Sequence, residues 1–73
     1  MDEIKFEFKG EHKIIAPTSR NWNLELNLIS WNGREPKYDI RSWSPDHTKM
    51  SKGITLTADE LKALKKTLAE TEI

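Results

Sequence analysis

The chain has 73 residues, no cysteine, and 12 acidic against 12 basic side chains. That leaves room for one domain, 1–73, with a modest core; disulfides and thiolate metal sites are excluded, and the two histidines, His12 and His47, are too few to build a metal cluster without several carboxylates arranged around them. No apolar run approaches the roughly 18 residues that span a bilayer, and the charged, alternating start MDEIKFEFKGE is not a signal peptide, which points to a cytoplasmic protein, at most nucleoid-associated, whose remaining means of stabilisation is self-association.

Ile4, Phe6 and Phe8 alternate with Lys5, Glu7 and Lys9, the period of a half-buried strand. Gly10 interrupts the pattern and Ile14 and Ile15 follow, so the segment reads as one long strand with a bulge or bend near Gly10, ended by the turn chemistry of Ala16-Pro17-Thr18-Ser19. In a second strand Leu24, Leu26 and Leu28 alternate with Glu25, Asn27 and Ile29, and it runs on to Trp31. Asn32-Gly33 is the strongest turn signal in the chain and opens a hairpin loop that closes at Pro36. A third strand, Lys37 to Ser44, alternates Tyr38 and Ile40 with Lys37, Asp39, Arg41 and Trp43. Ser44-Pro45-Asp46 turns the chain, 46–52 is a polar loop, and Gly53 to Leu56 is a short fourth strand. Thr57 and Glu60 form a capping box, after which Leu61, Leu64 and Leu68 mark the apolar stripe of a helix over about 58–70. The order β-β-β-β-α predicts an α+β fold: a four-stranded antiparallel sheet with one C-terminal helix available to cover one face.

Charge is unevenly spread. Residues 1–11 carry a net −2 and residues 57–73 a net −1, whereas 12–56 carry +3 and hold all three tryptophans, Trp22, Trp31 and Trp43. Cations interleaved with aromatic rings suit a single nucleic-acid strand, whose phosphates seek positive charge and whose unstacked bases seek flat surfaces; three tryptophans filling a small core is the plainer alternative. Sidedness bears on the choice. One helix shelters one face of a sheet, and Leu24, Leu26, Leu28, Tyr38 and Ile40 belong beneath it. Trp31, Lys37, Asp39, Arg41 and Trp43 then share the opposite face, which is expected to lie open, with its two indoles and two cations free for a ligand.

Residues 38–56, YDIRSWSPDHTKMSKGITL, with the helix TADELKALKKTL that follows, resemble the single-stranded-DNA-binding domain of the transcriptional coactivator positive cofactor four, in its bacterial form. The resemblance rests on D-I-R leading into Trp43, the loop with Met50 and Lys52, and K-G-I-T-L running into the helix, and with the preceding hairpin it covers about two thirds of the chain. It implies a curved four-stranded sheet, a homodimer with helices packed about the two-fold axis, and binding of single-stranded DNA with little sequence preference. By position it implies DNA contact by Arg41 and Lys52 and base stacking by Trp31 and Trp43. The Ser- and Lys-rich tail of the eukaryotic coactivator is absent, so coactivation is not implied.

The candidate nucleic-acid-binding residues are therefore Trp22, Trp31, Lys37, Arg41, Trp43, Lys49 and Lys52, with Arg20 a weaker member. Arg41 has a structural alternative, an ion pair with Asp39 or Glu25. His47 beside Asp46 reads as a turn arrangement, not half of an acid/base pair. Ser44 and Ser51 have no oriented base, so no catalytic constellation is present and the chain is not read as an enzyme. Lys62, Lys65 and Lys66 are the solvated face of the helix. The reading is a binding module with no cofactor, metal or small-molecule substrate, serving transcription, replication or repair. The competing readings are a protein-interaction adaptor built on exposed tryptophans and a binder of single-stranded RNA, which stacking and phosphate contact do not distinguish from DNA.

Overall fold

A computed structural model describes residues 5–73; the part of the first-strand expectation that falls on Ile4 lies outside the described residues. The elements are β1 (Phe6–Phe8), β2 (Lys13–Pro17), a 3-10 turn (Ser19–Asn21), β3 (Asn23–Trp31), β4 (Lys37–Trp43), β5 (Ile54–Leu56) and α1 (Ala58–Ala69). Both β1 and β2 pair antiparallel with β3, at its two ends: Phe6 faces Trp31 and Lys13 faces Leu26. They are the one bent strand expected from Gly10, broken over residues 9–12 and slipped again between Ile14 and Ala16. Across the sheet the order is β1/β2, β3, β4, β5, every pairing antiparallel.

Local chemistry accounts for the turns. Asn32 (φ 52°) and Gly33 (φ 74°) both take the left-handed conformation that a tight hairpin turn demands and that Asn and Gly tolerate best. The loop is tied to the segment just before β1, since the Lys5 amide donates to Asn32 Oδ1 (3.0 Å) and the Asn32 amide to the Lys5 carbonyl (2.7 Å). In the turn after β4 the Asp46 carboxylate accepts from the Thr48 hydroxyl (2.8 Å), the Ser44 hydroxyl (2.8 Å) and the Thr48 amide (3.1 Å). Those donors hold its pKa down at about 2, the Thr48 hydroxyl foremost. Because the folded value is depressed, the turn keeps this support above the ordinary carboxylate range and loses it as pH falls through about 2. A carboxyl NMR titration should place the Asp46 midpoint near 2; an ordinary midpoint near 4 would remove the hydrogen-bonded turn from the solution structure.

Both halves of the capping box form. Thr57 Oγ1 accepts from the Glu60 amide (3.1 Å), and Glu60 Oε1 accepts from the Thr57 amide (2.8 Å), which draws the Glu60 pKa below its usual value. Thr57→Ala is expected to cost about 1 kcal/mol, as loss of a helix N-cap does, read as a lower thermal midpoint with an unchanged sheet signal.

The core does not sit where one helix over one sheet would place it. Leu24, Leu26, Leu28, Tyr38 and Ile40 lie on the helix side as expected, yet all remain half-exposed, and no residue of α1 is buried. The deeply buried side chains belong to the other face: Trp43 at 1% exposure, Ile29, Asn27 and Asp39, with Glu25 close behind. The expectation that this face lies open is overturned, and curvature is the reason. Phe8 pairs with Ile29 and Trp43 with Asn23, six residues apart along β3, about 20 Å in a flat sheet at 3.3 Å per residue. Their rings nonetheless stand 5.0 Å apart, and Phe6 lies 5.2 Å from Trp43. The sheet curls until its concave face closes on itself, and the aromatic residues of β1 fill the hollow.

Candidate functional site

Arg41 is the most constrained cation of the described residues. Asp39, two residues earlier on the same face of β4, is fully buried and takes the guanidinium in a forked pair, Nε to Oδ1 at 2.6 Å and Nη2 to Oδ2 at 2.7 Å. Thr55 Oγ1 on β5 donates to the same carboxylate at 3.0 Å, and Arg41 Nη1 reaches Met50 Sδ at 3.5 Å. Held this way, Cζ stands 4.9 Å from the centroid of the Trp31 ring, a cation–π arrangement. Of the two structural partners expected for Arg41, Asp39 is the one present. The side chain is only 14% exposed, so it is positioned more than it is offered.

The glycine of K-G-I-T-L serves this arrangement. A methyl group on Gly53 would overlap Arg41 Cβ and the Ile40 carbonyl oxygen. Only a bare backbone lets the start of β5 pass over β4 while the guanidinium stays folded toward Trp31. Gly53→Ala is expected to displace Arg41 and cost about 1–3 kcal/mol, the usual penalty for overpacking. A thermal melt checks it; a midpoint equal to the parent's would refute the close approach.

Of the other residues singled out in the sequence, Trp43 is sealed among Phe6, Phe8 and His47 and presents no face to a ligand in this conformation. Trp31 is half-exposed, and among the described residues neither its Nε1 nor that of Trp43 has a hydrogen-bond partner. Trp22, Arg20 and Lys49 come together on the outer surface. Arg20 (φ 56°) and Asn21 (φ 66°) make a tight turn, clamped by the Thr18 amide on the Trp22 carbonyl (2.7 Å) and the Trp22 amide on the Ser19 carbonyl (3.0 Å). This turn sets the Trp22 ring between two adjoining clefts. One is lined by Arg20, Trp22, Pro45, Thr48 and Lys49, and the other by Arg20, Trp22, Ser42 and Ser51. Asp46 also borders the first, but its carboxylate is occupied by Ser44 and Thr48. Lys37 and Lys52 are exposed and line neither cleft.

Arg20, a weaker member of the expected set, lines both clefts, and a buried polar cluster beneath Trp43 is not legible in the sequence. Glu25 accepts from Asn27 Nδ2 (3.0 Å) and lies 3.0 Å from His47 Nε2, and the His12 ring stacks on that of His47. An acid alternating with leucines reads as a solvent-facing residue, and nothing local announces that the face it points to is closed. Chemically, the outer surface offers an accessible indole flanked by cations and hydroxyls, and the far end of β3, on the other face, carries a second indole with a pinned guanidinium. Such a surface holds flat rings and anions together.

Residues 18–67 match the family described as Transcriptional Coactivator p15 (PC4). The chain is also 48% identical over 64 residues to an uncharacterized protein of Treponema pallidum (strain Nichols), an overlap covering 88% of this chain and 75% of that one. Among the described residues no helix is long and apolar enough to cross a membrane.

Proposed function

The chain belongs to the Transcriptional Coactivator p15 (PC4) family, a nucleic-acid-binding family, and from that premise we propose that it binds single-stranded DNA as a homodimer, with little sequence preference and without catalysis. The observation that carries the proposal is the grouping of Trp22 with Arg20 and Lys49 around two open clefts. Base stacking on an indole is worth about 1–3 kcal/mol per base and is indifferent to sequence, because every base has a π face. The cations supply phosphate contact without reading base edges. Trp31, with Arg41 held over its ring, is the second stacking platform, and Lys37 and Lys52 extend the basic surface. Trp43 contributes as a core residue, packed on Phe6, Phe8 and His47.

Dimerisation is supported by what the helix leaves uncovered. Ile15, Leu26 and Ile40 of the sheet and Leu61, Leu64 and Leu68 of α1 line one apolar groove, with Leu68 still 52% exposed. For so small a domain, burying that groove against a second copy recovers the area that one helix cannot. Light scattering should give about twice the 8.5 kDa chain mass, falling to the single-chain value for Leu68→Asp. A parent of monomer mass would refute it.

The binding test is a titration of tryptophan emission with oligothymidine at several salt concentrations. Affinity should fall with salt at a log–log slope of about −0.7 per neutralised phosphate. Arg20→Glu with Lys49→Glu, both exposed, should leave the fold intact, weaken binding at least tenfold and flatten the slope by about 1.4. Unchanged affinity and slope in that variant would move the site elsewhere, and indifference of the parent to every oligonucleotide would overturn the function.

A further inference from the structure

We propose that His12, Glu25 and His47 form a site for one divalent transition ion of the zinc class, on the concave face and separate from the clefts around Trp22. Three different parts of the chain supply the donors: the bend between β1 and β2, the middle of β3, and the turn after β4. His47 Nε2 lies 3.0 Å from both Glu25 oxygens, His12 Nδ1 lies 3.6 Å from Glu25 Oε1, and one ligand atom from each residue falls within 4.8 Å of the others. A tetrahedral ion with bonds of about 2.0–2.1 Å needs donors about 3.4 Å apart, so the spacing is already close to what an ion requires. Two imidazoles and a carboxylate are a donor set that suits zinc, nickel or copper better than calcium or magnesium.

Charge makes the case stronger. The Glu25 side chain is 3% exposed, and among the described residues its only ion-pair partners are the two histidines. A buried carboxylate demands compensation. Yet the two rings stack with centroids 4.2 Å apart and planes 16° apart, so charging both would set two cations face to face. A divalent ion shared by the two neutral rings answers the carboxylate without placing a charge on either ring. The surroundings also resemble the outer shell of a metal site. Asn27 Nδ2 fixes Glu25 (3.0 Å), while Phe8 stands edge-on to His12 (4.4 Å) and packs on His47 (5.5 Å).

Two adjustments accompany binding. His12 Nδ1 donates to Asn27 Oδ1 (2.8 Å), and His47 Nε2 faces the carboxylate; the ion binds the neutral rings at these nitrogens, so the proton on His12 Nδ1 passes to Nε2 of the same ring, and Asn27 Oδ1 is left as a further oxygen donor. Because the rings are nearly parallel, an ion in the plane of one lies off the plane of the other. His12 is the member free to rotate, its side chain being 38% exposed. Once bound, the ion staples the bend and the turn to β3, in a chain that has no cysteine to do so.

The test is calorimetric titration of the full chain with zinc chloride at pH 7.5. The same binding is followed by the absorption of cobalt(II) and by the thermal midpoint. The expected result is one ion per chain, visible cobalt bands and a midpoint that rises with zinc. His12→Ala, a change at an exposed position that should fold normally, and His47→Ala should each weaken binding at least tenfold, the least that loss of a direct ligand should cost when second-shell changes already cost 10–100-fold. Glu25→Gln is a third probe; if it does not fold, the His12 variant still decides. Absence of zinc binding in the parent up to millimolar concentration would overturn the site, as would equal binding by parent and His12→Ala.

Discussion

Trp43→Ala is expected to unfold the domain. The indole is 1% exposed and in contact with Phe6, Phe8 and His47. Truncating a buried tryptophan costs about 3–5 kcal/mol, whereas a 73-residue domain has roughly 4–11 kcal/mol of stability to lose. At about 4–8 °C per kcal/mol for a domain of this size, the thermal midpoint should drop by more than about 12 °C or the transition should vanish. Circular dichroism at two protein concentrations measures this and separates it from weakened self-association. A variant melting within a few degrees of the parent would show that Trp43 is not the centre of the core. The expected unfolding also means that any loss of nucleic-acid binding in this variant says nothing about stacking; the exposed Arg20 and Lys49 and the half-exposed Trp22 are the informative positions.

The second large effect is expected at Asp39. Its carboxylate is fully buried and receives two hydrogen bonds from Arg41 and one from Thr55. Asp39→Ala leaves a largely buried guanidinium without its counter-charge, which typically costs about 3–5 kcal/mol; the residual exposure of Arg41 places the expectation at the lower end, about 3 kcal/mol. The same change frees the guanidinium from the Trp31 ring, so binding should weaken as well. Asp39→Ala with Arg41→Met should be more stable than Asp39→Ala alone, because the uncompensated charge is then gone. Urea denaturation of the four members of this cycle decides it. If the double variant is no more stable than the single, the two side chains do not act as a pair.

These two predictions share one cause, the closure of the concave face, and it marks the limit of what local pattern conveys. The alternation of Leu24, Leu26 and Leu28 with Glu25, Asn27 and Ile29 assigns the faces correctly, and the parity of Trp31, Arg41 and Trp43 places them together on the side away from α1. Parity says nothing about which side meets water. A flat sheet under one helix would bury the leucines and expose the indoles; this sheet curls and does nearly the reverse. Hence Asp39 and Glu25, which read as solvent-facing acids, are among its most buried residues, and His47, which reads as a turn residue, reaches back to β3.

By itself the sequence determined most of what depends on nearest neighbours: the break in the first strand near Gly10, the left-handed pair Asn32-Gly33, the box of Thr57 with Glu60, and the antiparallel order of strands before a single helix; the turn expected from Ala16 instead begins after Pro17, because Ala16 and Pro17 still pair with Leu24 and Asn23. Period and turn chemistry act within a few residues, so they are written in a few residues. The tertiary structure alone decided that Phe6 and Phe8 lie against Trp43, that Asp39 rather than Glu25 captures Arg41, and that Arg20, Trp22 and Lys49 share one surface. Each of those depends on how far the sheet coils, a quantity summed over all its strands and therefore carried by no single stretch of chain.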